Sequence, residues 1–270
     1  MSVHRTSPHR PSKSRGARAA FRPAAAFYDF DGTLADLNLV HAALYILGNL
    51  GEWGGRIGYL LGFAARLPML ALAEQRDRYL LNVALFEVFK GISRDRLWTL
   101  GEEYCERILR GHLYPHAVEM IEANRAVGIE PVLVTGSPDF IVAPLAEFLR
   151  VETFAANRLV YSRGHATGRL REPVMAGDAK AVWCAEYAAA NGLSLEACWG
   201  YADSHYDLSF LAALGHPVAV NPDRKLMATA RSRQWPVIRF EKPARRGPAA
   251  FDRETVRTWM GRAIDGTAGN

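Results

Sequence analysis

The stretch AAAFYDFDGTLAD, residues 24–36, is apolar as far as Tyr28 and then sets two acids, Asp29 and Asp31, one residue apart before Gly32 and Thr33. Carboxylates that close repel one another, so the pair needs a cation beside it or a proton on one member. An ordinary turn is the plain alternative, because Asp-Gly is a common turn dipeptide. The rest of the chain decides between a site and a turn.

Three further apolar runs also end in polar residues: EPVLVTGSP (130–138), ACWGYADS (197–204) and HPVAVNPD (216–223). Helix-like stretches separate them, such as DFIVAPLAEFL (139–149), AKAVWCAEYAAANG (179–192) and DLSFLAALG (207–215), the last two closed by glycine. Continuous apolar strands alternating with helices predict an α/β fold, a Rossmann-like parallel sheet covered on both faces. Such sheets bind ligands at the carboxyl ends of their strands. The two acids, Thr135 and Asp203 all fall at those ends.

Residues 38–114 break the alternation and read as helix throughout, an all-helical insertion placed like a lid after the first strand. Within it IGYLLGFAARLPMLALA (57–73) comes nearest to a membrane segment, but it has Arg66 in its middle and Pro68 just beyond. A spanning helix needs about 20 apolar residues, so the stretch reads as a packed or interfacial helix. ANRLVYSRGHATGRL (156–170) reads as a hairpin. The expected organisation is a tail at 1–23, a catalytic core at 24–35 and 115–240, a helical cap at 36–114 and a C-terminal extension at 241–270.

The net charge of +5 is a property of the tail: residues 1–22 carry six basic residues and no acid, which leaves the remainder at −1. Nucleic acid is therefore not an expected partner. The tail, rich in Pro, Ser and Arg, reads as disordered and lacks the apolar region of a secretory signal. It could touch an acidic membrane surface weakly, as could the cap. Three widely spaced cysteines, Cys105, Cys184 and Cys198, form no C-x-x-C and suit a reducing compartment, hence the cytoplasm. The histidines show no metal spacing.

Four elements occur in order: Asp29-Phe-Asp31-Gly-Thr33, Thr135-Gly-Ser-Pro, Lys180 in AGDAKAVW, and Asp203-Ser-His-Tyr-Asp207. Over residues 24–240 this series resembles the haloacid dehalogenase (HAD) superfamily of phosphatases, most closely its phosphoserine-phosphatase-like subfamily IB. The departures are mild: Ala202 stands where a glycine often precedes the fourth-motif acid, and Thr135 where serine is frequent.

Phosphoryl transfer needs an in-line nucleophile, charge neutralisation and proton management at the leaving oxygen. A carboxylate can serve as nucleophile and form an aspartyl-phosphate; Asp29 at the strand tip is expected in that role. Asp31 is expected to act as general acid and then as base, with Thr33 serving the turn. Thr135 and the N–H groups of Gly136 and Ser137 would hold phosphate oxygens, and Lys180 would supply fixed positive charge. The resemblance implies Mg²⁺ held by Asp29, the carbonyl of Asp31 and Asp203, with Asp207 as a ligand or neighbour. A phosphotransferase using the same intermediate is the near alternative. A glycosyltransferase would leave Lys180, Asp203 and Asp207 without work, and a non-enzymatic membrane-surface or nucleic-acid adaptor would leave the whole set unexplained. The expected substrate is a small phosphomonoester. In phosphoserine phosphatases an acid nine positions after the nucleophile helps hold the substrate ammonium; here that position is the neutral Asn38, with Asp36 two residues short of it, so phosphoserine is expected to be a poor substrate. The apolar 57–73 either packs on the other cap helices or borders the leaving group, and the second case would favour an apolar or lipid-like phosphomonoester.

Overall fold

A computed structural model describes residues 24–51 and 53–242. The tail and all but two residues of the C-terminal extension lie outside the described residues. The chain runs β1 (Ala25–Tyr28), α1 (Leu39–Gly48), α2 (Trp53–Ala64), α3 (Leu67–Arg76), α4 (Arg78–Phe86), α5 (Arg94–Arg107), α6 (Pro115–Ala126), β2 (Glu130–Pro138) and α7 (Asp139–Phe148). It continues β3 (Thr153–Asn157), β4 (Leu159–Ser162), β5 (His165–Leu170), α8 (Asp178–Ala190), β6 (Trp199–Ala202), α9 (Leu208–Ala212), β7 (His216–Val220), α10 (Arg224–Ser232) and β8 (Val237–Ile238).

Six strands form one parallel sheet in the order β3-β2-β1-β6-β7-β8, so the expected α/β fold with an inserted helical cap is what the chain adopts. Strand β1 sits at the centre, and its alternate side chains feed two cores. Ala26 and Tyr28 join the cluster shared with the cap and α7, whereas Ala25 and Phe27 join the cluster with Cys184 of α8 and Leu226 of α10. Burial on both faces explains why the strand reads as unbroken apolar sequence. Each fully buried aromatic contributes about 1.5–3 kcal/mol. The Asn124 amide donates to the hydroxyls of the stacked pair Tyr28 and Tyr201 beneath the sheet.

Two strands, β3 and β8, were not anticipated; both are short edge strands in segments of mixed polarity. The expected hairpin is present as β4 and β5 but begins at Leu159, because Ala156 and Asn157 continue β3. Its tip is sewn to the cap. Gly91 N–H donates to Ala166 O, Ala166 N–H to Ile92 O and Arg94 N–H to Gly164 O, each at 2.8 Å.

The cap helices start where their sequences supply caps: Asn38 before α1, Asp77 before α4 and Ser93 before α5 accept backbone N–H groups of the first turn. The apolar stretch 57–73 is two helices, not one. Pro68 lies in the first turn of α3, where its missing N–H costs nothing, and it could not have continued α2. Only Phe63 and Leu70 of this stretch are buried, while Leu61 is 65% exposed and Leu72 50% exposed. Among the described residues no helix is long and apolar enough to cross a membrane.

Candidate active site

Asp29 follows the last residue of β1, and its backbone N–H donates to Tyr201 O of β6 at 2.9 Å. That bond fixes the carboxylate at the strand tip. The chain then turns sharply: Thr33 and Leu34 N–H groups both donate to Phe30 O, and Gly32 N–H to Ala35 O. Gly32 adopts φ +77°, and a Cβ there would collide with the Asp203 carboxylate. Glycine is what allows Asp203 to approach the Asp29–Asp31 turn.

Lys180, in the first turn of α8, is buried and donates to Asp29 Oδ1 and Asp207 Oδ1, both at 2.8 Å. Burial alone would push its ammonium towards neutrality, but Asp207 and Asp29 outweigh that and hold it charged. Asp31 accepts from Ser137 Oγ at 2.6 Å. Burial is the main reason its carboxyl rises to about 6, with Ser137 opposing and Asp29 adding repulsion. Asp203 accepts from Thr33 Oγ1 at 3.4 Å. Burial, then repulsion from Asp29 and Asp207, raises it well above the usual carboxylate range.

Asp29, Asp31, Gly136, Lys180, Asp203 and Asp207 line one cavity of about 830 Å³, at the carboxyl ends of β1, β2 and β6. Thr135 and Ser137 are buried beneath it and do not line it. The Ser137 N–H, expected to face a phosphate, donates instead to Thr135 Oγ1 at 3.0 Å. Oxygens of Asp29, Asp203 and Asp207 lie within 4.8 Å of one another. Three carboxylates this close, two of them pushed up in pKa by burial and mutual repulsion, form a hard, all-oxygen donor set short of positive charge, which fits Mg²⁺.

Several residues here escaped the sequence reading. Arg78 of α4 lines the cavity from the cap side. Burial alone would lower its pKa, but Asp31, Asp29, Asp207 and Asp203 outweigh that and raise it. Asn82, one turn further along α4, is buried beside Gly136. The buried Asn157 donates to Gly136 O at 2.8 Å and accepts from Met175 N–H at 2.7 Å, bracing the end of β2 against the segment before α8. At the rim His205 Nδ1 lies 2.7 Å from Asp223 Oδ2. Asn38, weighed as a substrate contact, caps α1 by accepting from Val40 and His41 N–H. Nearby Asp36 pairs with Lys242 at 3.1 Å.

A parallel α/β core whose acids and lysine converge under a helical cap defines an enzyme with a covered site at its strand ends. Residues 26–212 match the haloacid dehalogenase-like hydrolase family. The chain belongs to that family and is an enzyme of its phosphatase type. Similar proteins include a probable phosphatase of Mycobacterium tuberculosis, 29% identical over 233 residues covering 86% of this chain and 81% of the relative. Phosphoserine phosphatase SerB1 of the same species is 29% identical over 234 residues, covering 84% and 76%. The crystal structure of a protein of unknown function from Bordetella pertussis Tohama I has a TM-score of 0.70 at 26% identity, covering 80% of this chain and 98% of that one. A substrate-bound phosphoserine phosphatase complex shares the fold at a TM-score of 0.61 and 19% identity, covering 80% and 92%.

Proposed function

We propose that this protein is a Mg²⁺-dependent phosphomonoester hydrolase that works through a phospho-aspartate on Asp29. The observation that carries this reading is the Asp29 carboxylate at the tip of β1, fixed by Lys180 at 2.8 Å with Asp31 two residues on. An Asp29 oxygen attacks phosphorus and the bond to the leaving oxygen breaks. Asp31, whose carboxyl is pushed up to about 6 by burial, hands its proton to that oxygen. It then takes a proton from the water that attacks phospho-Asp29, which returns the free carboxylate and releases phosphate. Ser137 Oγ holds Asp31 in place for both transfers. Asp29, Asp203 and the carbonyl of Asp31 would hold Mg²⁺, with Asp207 beside them; the ion supplies charge neutralisation for the phosphoryl oxygens.

The leaving group we assign is apolar or lipid-like. Asn38 is occupied as a helix cap and Asp36 is paired with Lys242, so neither stands free for a substrate ammonium. Helix α3 borders the cavity at Ala71, and elsewhere along its length it exposes Leu67, Met69 and Leu72. Contact of the tail or cap with an acidic membrane surface belongs to the same reading. So does a cytoplasmic setting, in keeping with three buried, unpaired cysteines.

The test is phosphate release across sugar, amino-acid, nucleotide and lipid phosphates, with and without Mg²⁺. Asp29→Asn should abolish turnover with the fold intact, and Asp31→Asn should cost ~10²- to 10⁴-fold. Retention of more than a few per cent of activity by Asp29→Asn removes that residue as nucleophile. Transfer of phosphate to added alcohols in preference to water would make the enzyme a phosphotransferase. Phosphoserine should be turned over poorly, and a preference for it above every other compound would sink the lipid-like assignment.

A further inference from the structure

We infer that the cap completes the phosphate site: Arg78 and Asn82, one helical turn apart on α4, donate to the transferring phosphate from the side opposite Lys180. This rests on the assignment of Asp29 as the phosphoryl acceptor.

Asn82 is 2% exposed, and its Nδ2 has no hydrogen-bond partner among the described residues. A buried amide donor without an acceptor is costly, and folded proteins retain one chiefly where something else arrives to accept from it. The group is aimed at the carboxyl end of β2: a Cβ on Gly136 would lie 2.9 Å from Asn82 Nδ2 and 3.2 Å from Met175 O. Glycine at 136 therefore lets the Asn82 amide and the Met175 carbonyl close on the backbone there. Gly136 lines the cavity together with Lys180 and Asp29.

Residues four apart on a helix share a face, so Arg78 stands beside Asn82 and also lines the cavity. No hydrogen bond or ion pair within 4 Å holds its guanidinium among the described residues, although four site acids act on its charge. Its planar fork suits a phosphate dianion.

Several core-side donors are already engaged. The Lys180 ammonium already serves Asp29 and Asp207, the Ser137 N–H serves Thr135, and the Ser137 hydroxyl serves Asp31. A tetrahedral dianion bound there finds its missing partners on α4. That helix starts at its Asp77 cap and is tied to the segment after β5 by the Tyr79 hydroxyl, which donates to Glu172 at 3.0 Å.

The test is calorimetric titration of inorganic phosphate into the Mg²⁺-loaded full chain, which contains no leaving group. Asn82→Leu should weaken phosphate about 10- to 100-fold, the worth of one hydrogen bond to a charged group. The same change should keep or raise the thermal midpoint, because it removes an unpaired buried amide. These opposite signs separate a ligand contact from a structural one. Asn82→Asp should bind more weakly than Asn82→Ala, and Arg78→Lys should bind more tightly than Arg78→Ala. If Asn82→Leu fails to fold, the Asn82→Ala and Asn82→Asp pair carries the test. Wild-type phosphate affinity in the Asn82 variants overturns the inference. So does an Arg78→Ala variant that binds phosphate normally and loses only intact substrate, since that would turn Arg78 towards the leaving group. Phosphate binding is read without turnover, so failure of the cap contacts is distinguishable from failure of Asp29 as acceptor.

Discussion

Lys180 Nζ bonds two buried carboxylates at once, so truncating it leaves Asp29 and Asp207 facing each other without their shared cation. Lys180→Met should therefore cost stability as well as turnover. Breaking one partner out of a buried charge group typically costs about 3–5 kcal/mol, and urea denaturation at pH 7 measures it. Asp29→Asn should lose turnover while losing far less stability, because the carboxamide still accepts from Lys180. A Lys180→Met variant as stable as wild type would mean that the three groups relax apart without strain. Asp29 was legible in the sequence because it stands at a strand tip, whereas Lys180 and Asp207, on the first turn of α8 and just before α9, were legible only from their place in the ordered series of motifs. Arg78 and Asn82 were not. Their segment, EQRDRYLLNVALF, carries two arginines, and nothing local says which of them lines the cavity or that Asn82 meets Gly136, some fifty residues further along the chain.

Helix α5 meets α7 at Gly101, where an added Cβ would strike the Phe140 carbonyl. Gly101→Ala should cost about 1–3 kcal/mol through overpacking at this contact between cap and core; the denaturation midpoint reads it, and an unchanged midpoint would show that the helices part easily. At the other end of the sheet Asp223 caps α10, accepting from Leu226 N–H at 2.7 Å. Burial would raise its pKa, but bonds from His205 N–H, Leu226 N–H and the His205 ring together bring it below the ordinary value. A depressed carboxyl stabilises the fold above its unfolded pKa of about 4 and loses that contribution as pH falls through the folded value. Asp223→Asn keeps a capping oxygen but not the charge. The stability gap between wild type and variant should be present above about pH 5 and shrink below about pH 4; a gap constant down to pH 2 would deny Asp223 the role. The same element scale shows where sequence patterns run out. Long apolar strands such as β2 announced themselves, whereas β8 has two residues and takes its form from β7.

Across the whole molecule, charge and chemistry are separated along the chain. The basic residues of 1–22 include none of the site residues. Deleting them should leave turnover of a small soluble phosphate unchanged and reduce only salt-sensitive binding to anionic vesicles; a large loss of turnover would mean that this segment reaches the site. The sheet imposes a different order. Its central strand, β1, precedes every partner in the chain: Tyr28 pairs with Leu133 on one side and Tyr201 on the other. The strand that carries Asp29 is thus synthesised early and must wait for two strands made much later, while the cap between them closes a long loop. During that wait its unbroken apolar run stands unpaired, the kind of segment on which nascent chains stick to one another. The placement that seats Asp29 at the centre of a buried sheet makes the birth of the protein, not its mature state, its most aggregation-prone moment.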